Sequence, residues 1–197
     1  MSHTSNSIQL KIRHPRSKDV EIYLGKWDKE EDYPPKEKAL KKLCCELCPT
    51  NTNIEDILLK SSVINTFYGT NIFDIYPVAK HILGVANIDK RLEAGDITLV
   101  SEIANGPTKR RNYSFATKYC SWHQPSEFPI YDSFVGKLLL QYQRLDHFAN
   151  FNKLDDLRDY SIFCDVIRKF RIYYELKYSL KELDKFLWQL GKETFPQ

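Results

Sequence analysis

Between residues 114 and 135 the chain gathers the side chains best suited to chemistry. Ser114-Phe115-Ala116-Thr117-Lys118-Tyr119 reads as an apolar-faced helix that carries a lysine, and Cys120-Ser121-Trp122-His123 continues it. A polar connector holding Pro125 and Pro129 then leads to Tyr131-Asp132. Phe134, Val135, Leu138, Leu139, Tyr142 and Leu145 follow at helical spacing, so Asp132 stands at a helix start. A carboxylate there either accepts hydrogen bonds from the first unpaired N–H groups or supplies fixed negative charge to a reacting centre. Cys45 and Cys48 form a C-x-x-C and Cys120 with His123 a C-x-x-H, from which a four-ligand zinc site can be drawn. Cys44 and Leu47, however, share the apolar face of Ala39, Leu40 and Leu43, which makes these ordinary core cysteines. Neither metal nor cofactor is expected.

Composition limits what can position these groups. A chain of 197 residues with 42% hydrophobic and 13% aromatic content buries one sizeable core and suits one domain better than two. The net charge of +3 permits a nucleic-acid partner without demanding one. Five cysteines, an odd number, point to reduced thiols rather than a disulfide framework. No apolar run approaches the roughly 18 residues of a membrane span. The polar stretch Met1 to Asn6 lacks the apolar core of a signal peptide, so a cytoplasmic location with no membrane partner is expected.

The elements read as helices throughout, giving an all-α class and a single compact multi-helix domain. Only seven glycines punctuate the chain, and period-two alternation flanked by turn residues does not occur. Residues 1–33 read as a polar N-terminal leader with room for a short helix around Val20 to Lys29, and residues 34–197 as the helical domain. Pro34-Pro35 opens a helix through Leu47 that Pro49 stops, and Asn53 caps the next, which carries Ile57 and Ile64. A further segment holds Ile72, Tyr76, Ala79 and Ile82. Asp96 caps a short helix that ends at Asn105-Gly106-Pro107. Phe163, Val166, Ile167, Phe170 and Tyr174 line one face of a later helix. Ser179 and Glu182 have the spacing of a capping box for the last one, with Gly191 at its stop. The segment Asp146 to Asp159 reads as a loop.

Taken in order, Asp56 to Thr66, Tyr76-Pro77-Val78-Ala79-Lys80-His81, Ile97 to Lys118, Asp132 and Leu183-Asp184-Lys185-Phe186-Leu187-Trp188-Gln189-Leu190-Gly191 resemble the successive parts of the helix-hairpin-helix DNA glycosylase (HhH-GPD) superfamily. The resemblance runs from about residue 35 to 192. It implies a protein that binds DNA, double-stranded with one base flipped out, and hydrolyses the N-glycosidic bond of a damaged or mismatched base. Asp132 takes the place of the carboxylate that stabilises the oxocarbenium-like transition state. Asn65, Thr66, Phe67 and Tyr68 fall where DNA-facing residues stand. Trp122, His123 and Tyr131 bracket the base pocket, and the helices on either side of the connector are expected to flank one groove.

Two departures accompany the matches. The family hairpin reads Leu-Pro-Gly-x-Gly, whereas only Gly106 stands here, followed by Lys109, Arg110 and Arg111. Three cations at a helix start are unfavourable unless an anion lies nearby, and a DNA phosphate is one such anion. The lysine that some relatives use to form a Schiff base aligns near Tyr113 or Ser114, so Lys118 lies about one turn further along, on nearly the same side of its helix. The cysteine-rich cluster loop of some relatives is absent. Two other classes fit the same composition: a helical DNA- or RNA-binding or phage-defence component without catalysis, and a protein-interaction module.

Overall fold

A computed structural model describes residues 13–106 and 110–196 of the chain. In order, the helices are α1 (Ser17–Trp27), α2 (Tyr33–Lys41) continuing into a π-helical turn (Lys42–Leu47), α3 (Ile54–Tyr68), α4 (Tyr76–Leu83), α5 (Ile88–Glu93) and α6 (Thr98–Ala104). After them come α7 (Tyr113–His123), α8 (Ser133–Asp146), a 3-10 turn (Leu154–Arg158), α9 (Tyr160–Tyr173) and α10 (Leu180–Thr194). Among the described residues there is no strand, and no helix is long and apolar enough to cross a membrane.

Capping residues decide most of the boundaries. Asn53 accepts from Asp56 N at the start of α3, and Gly69 closes that helix in the left-handed region (φ 57°), where a Cβ would be strained. Asp132, Asp159 and Ser179 cap α8, α9 and α10, the last in a reciprocal box with Glu182.

α7 runs through the centre. Nine of its eleven residues are buried, and it packs on α3, α5, α6 and the π turn. α10 packs instead on α1 and α8. Each large apolar side chain sealed in this core, such as Phe115, Phe163 or Phe186, contributes about 1.5–3 kcal/mol of transfer free energy.

Of the stretch read as a leader, residues 13–33 hold α1, which shares the core: Val20 is fully buried, Tyr23 meets Phe186 edge-on at 5.5 Å, and Gln189 Nε2 donates to Tyr23 O at 2.9 Å. Three expectations are corrected. The second helix does not stay α-helical to Leu47. Cys48 N bonds to Leu43 O, a π-type step, which turns Leu47 out to 63% exposure and Cys48 inward. Ile72 lies in a loop before α4, and α5 is a helix that the apolar spacing does not announce. Gly191 does not end α10; it lies within it, because α8 passes too close for any side chain. The Asp146 to Asp159 loop holds the 3-10 turn, whose Leu157 is buried.

Candidate active site

A cleft opens where the α7 group meets the α10 group. Its cavity holds about 120 Å³, less than the roughly 300–1,000 Å³ of most small-ligand sites. Trp27 of α1, Tyr33 and Glu37 of α2, Phe67 and Tyr68 of α3, Lys118 and Trp122 of α7, Asp132, and Lys181, Asp184 and Trp188 of α10 face it.

Lys118 lies at the floor, its side chain only 3% exposed. Its Nζ donates to Ser114 Oγ at 2.6 Å and to Tyr131 O at 3.2 Å, stands 3.8 Å from Asp132 Oδ2, and lies 5.2 Å from the Tyr68 ring centre. Burial pulls the amine below the ordinary lysine range, while Asp132 and then Asp184 oppose that shift. Asp132 divides its two oxygens between two tasks. Oδ1 accepts from Phe134 N at 3.0 Å, which fixes the carboxylate as the cap of α8, and Oδ2 turns toward the lysine. Asp132 therefore both caps its helix and offers charge to the cleft.

The opposite wall belongs to α10. Asp184 and Trp188 are four residues apart and so share a face. Asp184 lies deep enough that burial pushes its carboxyl up to about 6, against the pull of Lys181 and Lys118 and with help from Asp132 and Glu37. Trp188 meets Tyr33 edge-on at 5.2 Å and Trp27 at 6.0 Å, and Trp27 stacks on Tyr33 at 4.9 Å. Glu37 ties this corner together: its carboxylate accepts from Lys185 at 2.7 Å and from Trp27 Nε1 at 3.3 Å, and lies 3.8 Å from Lys181. Lys181 Nζ sits 4.0 Å from the Trp122 ring centre, and Trp122 Nε1 donates to Tyr68 OH at 3.1 Å. The result is an aromatic slot with a lysine–carboxylate pair at its floor.

The structure thus brings together Asp132, Lys118, Trp122 and Tyr68 of the residues singled out from sequence. It separates others. His123 lies outside the cleft, its ring tilted against that of Tyr119 at 5.2 Å, and burial, reinforced by the Lys60 charge, pushes its imidazole down to about 3. The Tyr131 ring packs on Tyr113 and Phe163, and only its carbonyl reaches Lys118. Asn65 is consumed in the chain's own turn, bonded to Thr70 Oγ1 and to both backbone groups of Ile72, whereas Thr66 is exposed. Gly106 abuts the His81 ring. Arg111 donates to Asn105, Ser101 and the Arg158 carbonyl, and Arg110 donates to Thr70 O at 2.7 Å. Lys109 lies outside the described residues. The four zinc ligands drawn from the sequence do not converge: among the described residues no three His, Cys, Asp or Glu groups are placed to hold a metal.

Sequence reasoning passes over Trp27, Tyr33, Glu37, Lys181, Asp184 and Trp188 as cleft residues. The available signal is the Asp184–Trp188 spacing, a carboxylate one turn before a tryptophan on a helix already marked as buried along Leu183 and Leu187.

The family model HI_0787_N, described as an N-terminal domain, matches residues 19–127, more than half of the chain, and the protein belongs to that family. A Haemophilus influenzae protein described as an uncharacterized protein is 48% identical over 150 residues, spanning 75% of this chain and 72% of its own length. No solved structure matches.

Proposed function

We propose that this protein is a DNA N-glycosylase of the helix-hairpin-helix kind, which draws one base out of a duplex into the aromatic slot and breaks its bond to deoxyribose. The observation that carries the reading is the Lys118–Asp132 pair, 3.8 Å apart at the floor of a cleft walled by Trp27, Trp122 and Trp188. Flat aromatic walls suit a flat heterocycle, which must leave the stack before its glycosidic bond can be reached.

In this reading the bond from C1′ to the base lengthens and positive charge builds on the sugar, which the Asp132 carboxylate, held rigid by Phe134 N, stabilises. Lys118, whose amine burial makes easier to deprotonate, adds its nitrogen lone pair to C1′ and gives up a proton. The base leaves with the bonding pair and takes up a proton. The resulting aminosugar opens to an imine, and water then hydrolyses it to the abasic aldehyde and free Lys118, so the net reaction is hydrolysis.

A panel of duplexes, each with one lesion or mismatch, tests the reading by abasic-site formation, with borohydride added to trap the imine. Release of a base from one substrate, with a trapped protein–DNA adduct, is the expected result. No release from any of them would end it.

A further inference from the structure

Lys118 and Ser114 stand one turn apart on α7, yet they open on different cavities. Lys118 lines the cleft, whereas Ser114 lines a separate depression bounded by Thr70, Arg110, Arg111, Tyr131 and Arg158. The extended backbone of residues 130–132 alternates between the two, with Ile130 and Asp132 on the cleft and Tyr131 on the depression. The depression is open to solvent and has about 380 Å³ of room, where one water needs about 10–15 Å³. A single hydroxyl spans the gap between the cavities. Ser114 Oγ accepts from Lys118 Nζ at 2.6 Å and donates to Tyr131 O at 3.3 Å.

An amine that uses its lone pair as a nucleophile must shed a proton, and the surroundings of Lys118 leave few places for it to go. Asp132 is the nearest base, at 3.8 Å, but a proton on its Oδ2 would cancel the charge that a cationic sugar requires. The Tyr131 carbonyl accepts a hydrogen bond from the amine and is far too weak a base to take its proton. Asp184 and Lys181, the other charged groups that act on the amine, make no hydrogen bond with it among the described residues. The Lys118 side chain is only 3% exposed to begin with, and a base seated in the slot shuts that approach. What remains is the Ser114 hydroxyl, which alone reaches from Nζ to water outside the cleft.

We propose that Ser114 relays the Lys118 proton out of the cleft into the depression behind it. The use made of the relay rests on the glycosylase reading, whereas the relay itself rests on the two cavities and the hydroxyl between them. An Nζ–H bond breaks as its proton passes to Ser114 Oγ, and the electron pair stays on nitrogen. The hydroxyl turns from the Tyr131 carbonyl and gives its own proton to a water in the depression. Ser114 ends as it began, hydronium leaves to solvent, and no further reactant is consumed.

The first test needs no DNA. In protein labelled with nitrogen-15 at lysine, exchange of the Lys118 ammonium protons with water is followed by NMR, the signal being assigned by its loss in Lys118→Met. Ser114→Thr keeps a hydroxyl, and Ser114→Val has nearly the same shape without one, with Ser114→Ala in its place if the valine variant does not fold. Exchange in Ser114→Thr should stay within about threefold of wild type, and without the hydroxyl it should slow by about tenfold or more. A signal too broad to see in wild type and sharp in Ser114→Val carries the same meaning. Equal or faster exchange without the hydroxyl, or signals equally broadened in both proteins, would overturn the relay. The second test uses a duplex from which the protein releases a base. Single-turnover release by Ser114→Val should fall by about tenfold to a hundredfold near neutral pH, then approach wild type as pH rises and the amine sheds its proton before the base arrives. Release equal to wild type across that range would overturn the relay and leave the glycosylase reading intact. No release by wild type from any duplex would end the glycosylase reading, and the exchange measurement would then decide the relay alone.

Discussion

Gly191 of α10 lies so close to Phe134 of α8 that a Cβ on the glycine would stand 2.8 Å from the Phe134 carbonyl oxygen. Phe134 follows Asp132 by two residues and donates its N–H to that carboxylate, so the contact sets the distance between the cap of α8 and the wall that holds Asp184. Alanine is the better helix former by about 1 kcal/mol, yet the obstacle is backbone and cannot rotate aside. Gly191→Ala should therefore lower stability by about 1–3 kcal/mol in denaturant unfolding, and base release should fall with it. Equal or greater stability would mean that α8 gives way without cost.

Asp132 caps α8 and, on the proposed reading, stabilises a cationic sugar, and one substitution separates the two. Asn at this position still accepts from Phe134 N, so Asp132→Asn should unfold close to wild type, while Asp132→Ala should lose about 0.5–2 kcal/mol. The charge is absent from both. Base release by Asp132→Asn should fall by about 10²–10³-fold with binding to an abasic duplex retained. Undiminished release from that variant would leave Asp132 as a helix cap alone.

Lys118 is held by Ser114 Oγ and Tyr131 O in a place where burial disfavours its charge. Lys118→Met fills similar volume but takes one partner from the Lys118–Asp132 pair and a donor from Ser114 Oγ and Tyr131 O, and removal of one member of a buried pair is destabilising. A thermal scan should accordingly give a lower melting temperature than wild type. Borohydride trapping should vanish. A trapped adduct persisting in Lys118→Met would assign the amine to another lysine, Lys181 being the next in the cleft.

Asp184 sets a pH window. Its folded value is raised from 3.8 to about 6, so the folded state binds the proton more tightly than the unfolded one. That contribution is full below pH 4 and is lost as pH rises through 6. Asp184→Asn should be the more stable protein at pH 7.5, by the order of 1–3 kcal/mol, with the gain shrinking toward pH 4. Equal stability of the two proteins from pH 4 to 7.5 would place the Asp184 carboxyl in ordinary solvent.

The cations after Gly106 call for two readouts. Arg111 is engaged with Asn105, Ser101 and the Arg158 carbonyl, so Arg111→Ala should lower the melting temperature. Arg110 is tied to the Thr70 carbonyl as well. On the proposed reading, replacing Lys109 and Arg110 together should weaken duplex binding and reduce the salt slope by about 0.9 for each phosphate that is no longer neutralised. Unchanged affinity and slope would remove both of them from the DNA interface.

The parts legible in sequence are those decided locally. Asn53, Asp132, Ser179 and Glu182 announce helix starts through their own hydrogen bonds, and the apolar stripes of α9 and α10 announce their buried faces. Half of the cleft is legible too, because Lys118, Trp122 and Asp132 lie within one helix and its connector. Its other half depends on contacts between distant segments. Nothing near Trp27 or Glu37 in the chain signals Trp188 or Lys185, and Gly191 reads as a stop unless the approach of Phe134 is known. The side chain of His123 is misplaced by sequence for the same reason: one helical step turns it from the Trp122 side to the Tyr119 side, and only packing decides which side is the cleft.

Glu37 joins α1 and α2 to α10 through Trp27, Lys181 and Lys185, segments far apart in the chain. One carboxylate thus fastens two sides of the cleft to each other, and any motion that parts α10 from α1 and α2 must first undo its contacts with an indole and two lysines.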